Sequence, residues 1–383
     1  MDICCLTKIR GLAVTLFALL ALACSPQAFA LSCSLEANAG YMAYAIPLRP
    51  NVTVGADVSA GTVIYRHTFK PSRETKIRCV QSTVTEYQPT LSWHYDSTLT
   101  PTTGSSGSFN SEKVFATGVP GIGMAVYAHN KPLDGFTLPF THNSWNEERS
   151  EKEIVWQAQG GFGFDLVLIK TGTVTPGTLN RLNLPVIQVD FQAPGIADIR
   201  LVDISFTGTL KIDSQTCTTP DVTVEMGTYE VADIFTGKGS ATQWEDASVK
   251  LYDCPPFYGT LNDGQNTWNS NDDSSSTGTI TNNILNLVLT PNTEIIDSTS
   301  GIISLTSESG SAQGVGIQLA YGNTTDTDLE SNFVNFGASK NYTMLTDTAT
   351  AQTLPLAARY IQTQSAVSAG KANSTVTFTI NYY

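Results

Sequence analysis

The sequence predicts an all-β protein built as two β-sandwich domains, and three observations carry that prediction. Apolar residues alternate with period two in Ile187/Val189/Phe191, Val202/Ile204/Phe206, Leu285/Leu287/Leu289 and Val315/Ile317/Leu319, the pattern of strands buried on one face. Turn-forming clusters separate such runs: Pro101–Gly107, Pro120-Gly121, Pro176-Gly177, Asn262–Gly264 and Asn271–Gly278. Composition agrees, because only 14% of the 383 residues are charged while Thr, Ser, Asn, Gly and Val are abundant, which suits strands and tight turns. No helical periodicity exceeds one or two turns, and the length fits two domains of ordinary size.

Residues 1–30 read as a secretory signal and are set aside from the fold. Lys8 and Arg10 form a short positive region, Gly11–Ala23 is apolar, and Ala28-Phe29-Ala30 is a small-x-small cleavage pattern. A membrane helix needs about 20 apolar residues, and Ser25-Pro26-Gln27 interrupts the run too early. Lipid attachment at Cys24 lacks the usual Leu three residues before it. The expected mature chain begins at Leu31.

Cys4, Cys5 and Cys24 leave with that leader, so Cys33, Cys79, Cys217 and Cys254 remain. An even number of cysteines in an exported chain suggests two disulfides, and four cysteines allow three pairings. Sequence order favours Cys33–Cys79 and Cys217–Cys254, because each pair then lies inside one half. A zinc site is disfavoured, since no C-x-x-C occurs and the gaps are too long. No metal or cofactor is expected.

The halves differ in chemistry. From Leu31 to Ser205, 13 Lys/Arg face 15 Asp/Glu, a net of −2; from Phe206 to Tyr383, 6 face 18, a net of −12. The overall charge of −13 argues against a nucleic-acid partner. All four histidines fall in the first half, as do Trp93, Trp145 and Trp156, so that half carries most of the side chains suited to recognition. The boundary is expected in the Gln192–Ala197 region, giving domains over residues 31–200 and 201–383.

The second half resembles the pilin domain of chaperone–usher fimbriae over nearly its whole length. The resemblance runs through Ile204–Leu210 leading to Cys217, Pro220–Met226, Phe235–Gly239, Val249–Cys254, Gly314–Leu319, Leu354–Tyr360 and Gly370–Tyr383. Apart from the family, Val376, Phe378, Ile380 and Tyr382 alternate and present one apolar face. In the family, Gly370 (fourteenth from the end) and the penultimate aromatic Tyr382 mark the strand held by a periplasmic chaperone. The resemblance therefore implies an immunoglobulin-like or jelly-roll-type sandwich that lacks its last strand. The open groove would be costly to leave wet. A chaperone, and then an adjacent pilin subunit at the outer-membrane usher, would supply the missing strand.

Where a polymerising pilin carries a short donor extension, this sequence has a region of about 170 residues with its own cysteine pair. Only Leu31-Ser32 would precede the first cysteine. A chain that accepts a strand but donates none sits at the fibre end, so the resemblance is to a two-domain tip adhesin exported through the periplasm to the cell surface. The first half looks like the receptor-binding domain of such adhesins in architecture: Cys33, Gly61–Tyr65, Cys79 and Val119–Gly123. Mannose-specific members have Asn-Asp after the second cysteine, whereas Val80-Gln81-Ser82-Thr83 stands here. A different host glycan, or a surface or matrix protein, is left as the receptor.

Sugar sites combine an aromatic face with fixed amides or carboxylates. Two segments offer both: Trp93, His94 and Asp96, and His142, Asn143, Trp145 and Asn146; a third candidate, His129 with Asn130, lies before a Pro132 turn. Leu91, Trp93 and Tyr95 also alternate, so the first segment can equally be core. Trp145, without apolar neighbours, is expected on an exposed polar loop. Enzyme signatures are missing: Gly104–Ser108 lacks the closing glycine of a nucleophile elbow, Gly118–Gly123 opens no helix, and Gly237–Ser240 is no phosphate loop. The favoured reading is a lectin-like tip adhesin and not an enzyme. A structural tip initiator with no receptor is the alternative, and a secreted glycan-active enzyme, resting on Glu147/Glu148, is a distant one.

Overall fold

A computed structural model describes residues 31–37, 40–70, 75–81, 87–102, 113–128, 131–132, 136–139, 145–149, 153–158, 162–262, 266–270, 274–344 and 349–383. Strands dominate, and the longest helix among the described residues, Val231–Ile234, is a single turn. The protein is all-β, as expected, with two main hydrophobic cores in two sandwich-like units. The leader lies outside the described residues.

The first core sits between two sheets. One runs in order through Phe136–Pro139, Thr90–Tyr95, Ile187–Gln192, Ile199–Asp213 and Gly177–Asn180, with Met42–Leu48 laid parallel on Ile199–Asp213. The other runs through Thr267–Asn269, Val63–Lys70, Phe164–Lys170 and Ile122–Ala128. Period-two patterning decides which faces meet: Trp93, Ile187, Val189, Phe191, Val202, Ile204 and Phe206 are all buried, and Phe206 meets Phe164 of the other sheet edge to face at 6.4 Å. A smaller sheet places Leu31–Leu35 on Thr75–Gln81, with Cys33 opposite Cys79 and bonded to it.

The division of the chain differs from the expected one in two ways. Residue 200 falls inside the strand Ile199–Asp213, so the change of core comes later, between Ile212 in the first and Cys217 in the second. The segment Gln192–Ala197 is the reversal of a hairpin within one sheet, with Gly195 at φ 78°. Pro-Gly chemistry that would suit a linker suits this tight turn equally well. The run Ile204–Leu210, expected to open the second unit, thus lies in the first core.

The second difference is an arm. Residues 261–262, 266–270 and 274–276 of the sequence-defined second half return to the first unit. Leu261 and Ile64 are joined by a backbone hydrogen bond of 3.0 Å, Thr267–Asn269 adds in parallel to Val63–Lys70, and Trp268 stacks on Phe69 at 5.5 Å. Ser274–Ser276, expected within a turn cluster, pairs with Thr267–Asn269 as a short strand.

The second unit packs Leu356–Gln362, Val315–Tyr321 and Ile302–Ser304 against a sheet ordered Lys340–Thr343, Ile284–Pro291, Val376–Tyr382. Cys217 and Cys254 are bonded within it, so both disulfides follow the order-based pairing. Gly370 is required by close approach: a Cβ there would stand 2.6 Å from the amide nitrogen of Ala312.

Candidate functional site

Among the described residues, the last strand, Val376–Tyr382, pairs with one neighbour, Ile284–Pro291. Ile284 and Tyr383 exchange both backbone hydrogen bonds, at 2.8 and 2.9 Å. Antiparallel pairs alternate, so the backbone groups of Thr377, Thr379 and Asn381 face the neighbour, and those of Val376, Phe378, Ile380 and Tyr382 face away. The same four residues turn their side chains to the core. Open backbone groups and core-directed side chains therefore belong to one set of residues. Among the described residues, the backbone groups of Val376, Phe378 and Ile380 find no partner on the open side.

Across from this edge runs Val222–Thr228, a segment outside any strand whose backbone makes no hydrogen bond among the described residues. Between the two lies a cavity of about 570 Å³, walled by Val224, Met226, Leu289, Leu319, Tyr360 and Phe378 among others. Its effect on the core is measurable. Ile317, Leu319 and Tyr360, which line it, each keep 8% of their surface exposed, whereas Trp93, Ile187, Val189 and Phe191 of the first core keep none. A cavity of mixed lining, with apolar side chains on its inner wall and two backbone edges that lack strand partners among the described residues, fits an extended segment with apolar side chains on alternate residues.

The groove has fixed walls. Tyr360 donates from its hydroxyl to the Ala372 carbonyl at 2.8 Å, which holds the approach to the last strand. Burial, reinforced by Tyr229, pushes the Tyr360 phenol above its ordinary pKa. Ser374 donates to the Ser304 carbonyl at 3.0 Å. At the opposite end the Tyr382 side chain fills the core beneath the disulfide, and its oxygen accepts from the Cys217 amide at 3.2 Å. The Tyr382 amide donates to the Asp57 carboxylate at 2.7 Å, and the Asp57 amide donates to the Tyr382 carbonyl at 3.0 Å. The groove is thus open toward Val376 and closed at Tyr382.

The expected recognition residues of the first unit are dispersed. Trp93 is fully buried against Phe162 at 6.3 Å, so it is a core residue and not a contact; the alternation of Leu91, Trp93 and Tyr95 is the reason. His94, on the outer face, lies 3.4 Å from Asp190, which also binds Arg200. Arg200 reaches Asp203 at 2.8 Å, and the exposed Tyr41 donates to Asp203 at 2.8 Å. Asp96 is exposed and accepts from the Val186 amide at 3.1 Å. Trp145 and Asn146 stand on the edge strand Trp145–Arg149, paired with Glu153–Ala158, and not on a loop. His129, Asn130, His142 and Asn143 lie outside the described residues.

Asp57, Tyr41 and Arg200 were not singled out by sequence reasoning. Asp57 stands 325 positions from its partner Tyr382, and no local pattern announces such a contact. Tyr41 is next to Gly40 and Arg200 lies in an alternating run, so both read as ordinary surface.

The family model described as fimbrial protein matches residues 204–383. No curated protein sequence matches the chain. Among solved structures, the P pilus rod subunit PapA is similar at 14% identity and a TM-score of 0.29, over 44% of this chain and 100% of that one. The CooA pilin subunit from enterotoxigenic Escherichia coli is similar at 13% identity and a TM-score of 0.23, over 48% and 98%. The CsuC–CsuE chaperone–tip adhesion subunit pre-assembly complex of Acinetobacter baumannii is similar at 10% identity and a TM-score of 0.24, over 91% and 100%.

Proposed function

We propose that this chain, which carries a fimbrial-protein domain over residues 204–383, is the tip adhesin of a chaperone–usher fimbria. Its second unit accepts a strand from a periplasmic chaperone and then, at the outer-membrane usher, from an adjacent pilin subunit. Its first unit binds a host glycan or a surface or matrix protein, and the molecule has no catalytic role. The observation that carries the reading is the open edge of Val376, Phe378 and Ile380 beside the 570 Å³ cavity. A second supports it. The chain just ahead of the fimbrial-domain disulfide, Ile199–Asp213, is held on both sides within the first unit, so it is not free to serve a neighbour as a donor.

Contact with the receptor is assigned to the first unit, with Trp145 and Asn146 on its edge strand, the outer face around His94 and Asp96, and the segments holding His129, Asn130, His142 and Asn143. The test is to co-express the mature chain with its chaperone, purify the complex, and screen it on glycan arrays and matrix proteins. Capture by the chaperone that depends on Phe378, together with binding to one receptor class, is the expected result. Chaperone capture with silence on both screens would support a structural tip initiator instead.

A further inference from the structure

We propose that the Gly55–Asp57 loop of the first unit is a register stop for the strand entering the second. The proposal rests on the strand-acceptor reading above and adds what that reading leaves open, namely how far the partner strand can pair. Asp57 already makes with Tyr382 the two hydrogen bonds that a partner strand would make. Its amide donates to the Tyr382 carbonyl at 3.0 Å, and its carboxylate accepts from the Tyr382 amide at 2.7 Å. The second is charge-assisted and so stronger than the backbone bond it replaces.

The loop is anchored from behind. Lys170, at the end of the strand Phe164–Lys170, is 4% exposed and donates from Nζ to the carbonyls of Gly55 at 3.1 Å and Ala56 at 2.7 Å. Lifting the loop would strip a buried ammonium of these two acceptors, which is strongly unfavourable. Gly55 is what allows the approach, since a Cβ there would stand 2.2 Å from the Tyr382 carbonyl oxygen.

The cavity ends short of the loop, because Val376 and Phe378 line it while Ile380 and Tyr382 do not. The partner segment therefore pairs from Val376 to Ile380 and ends against Asp57. Its inward positions carry apolar side chains facing Val224, Met226 and Leu319. The residue meeting Asp57 is not acidic, because like charges there would repel.

Single-residue amide exchange on the refolded mature chain tests this, with a probe peptide of alternating valine and threonine about twelve residues long. In the unaltered chain the Tyr382 amide is expected to be protected with or without the peptide, and Ile380 and Phe378 only with it. In Asp57→Ala the Tyr382 amide should exchange roughly tenfold faster without peptide and regain protection with it, as pairing lengthens past the stop. Gly55→Ala, which pushes the loop away but keeps the carboxylate, should do the same. An unprotected Tyr382 in the unaltered chain, or a peptide that strips protection from Asp57, would overturn the stop. If Phe378 and Ile380 gain no protection in any variant while Tyr382 keeps its Asp57-dependent protection, the acceptor reading fails, and the stop with it.

Discussion

Tyr382 and Cys217, 165 positions apart, are joined by a 3.2 Å hydrogen bond from the Cys217 amide to the Tyr382 hydroxyl oxygen. One side chain thereby seals the core under the disulfide and ties the last strand to the start of the second unit. Burial pushes the phenol's pKa above its ordinary value, so at neutral pH it is a neutral acceptor.

Tyr382→Phe keeps the ring and leaves a buried amide unpaired, so it should cost about 1–3 kcal/mol. Tyr382→Ala also opens a cavity and should cost ~3–5 kcal/mol, as for other large aromatic truncations. Urea unfolding of the mature chain bound to its strand donor measures both, and equal losses would show that the hydrogen bond carries nothing.

Phe378 and Ile380 turn their side chains to the core beside the open edge. Phe378→Arg and Ile380→Asp should each abolish capture of the chain by a strand donor, since a charge would have to be buried without a partner. Thr379→Arg, on the outer face of the same strand, should leave capture within about twofold. Co-purification yield reads all three, and equal loss at Thr379 would point to a general folding defect.

His67 is buried beside Tyr65, whose hydroxyl lies 3.3 Å from its Nδ1. Desolvation, with the Arg49 charge second, lowers its pKa from 6.5 to about 4. The unfolded chain therefore takes up a proton between those values while the folded one does not. Stability is full above pH 6.5 and falls as the pH drops toward 4, by up to ~3 kcal/mol. His67→Gln, which cannot ionise, should flatten that part of the stability-against-pH curve. An unchanged slope would assign the loss to other groups.

How much of this was legible in the sequence depends on the range of the interaction. Alternation such as Val202/Ile204/Phe206 is local, so strands and their buried faces could be read directly. The disulfides followed from order, because each closes within one unit. The boundary could not be read, since Ile199–Asp213 looks the same whichever core it serves and Pro194-Gly195 signals a turn without saying what it joins. Trp145 was misplaced for a related reason: a polar strand at a sheet edge has no apolar period to reveal it. The closed end of the groove was out of reach altogether, because Asp57 and Tyr382 are 325 positions apart and belong to different units.

The arm makes the last prediction. Trp268 is 7% exposed and stacks on Phe69 with an interplanar angle of 20°. Tyr44 approaches both rings, at 5.1 Å from Phe69 and 6.4 Å from Trp268. Asn266, also buried, donates to the Arg66 carbonyl at 2.9 Å, so the arm is hydrogen-bonded as well as packed. A fragment ending at residue 200 would lose both this arm and the strand Ile199–Asp213, and it should not fold. A fragment over residues 31–213 recovers the strand but leaves the Phe69 and Tyr44 rings uncovered, so it should be less stable than the same unit in the whole chain. Trp268→Ala in the mature chain isolates the arm's share and should cost ~3–5 kcal/mol, as expected for a buried Trp. Thermal unfolding followed by the near-ultraviolet signal of the first unit reads the effect. Full stability in the fragment over residues 31–200 would mean that neither the arm nor the long strand is needed by the first core.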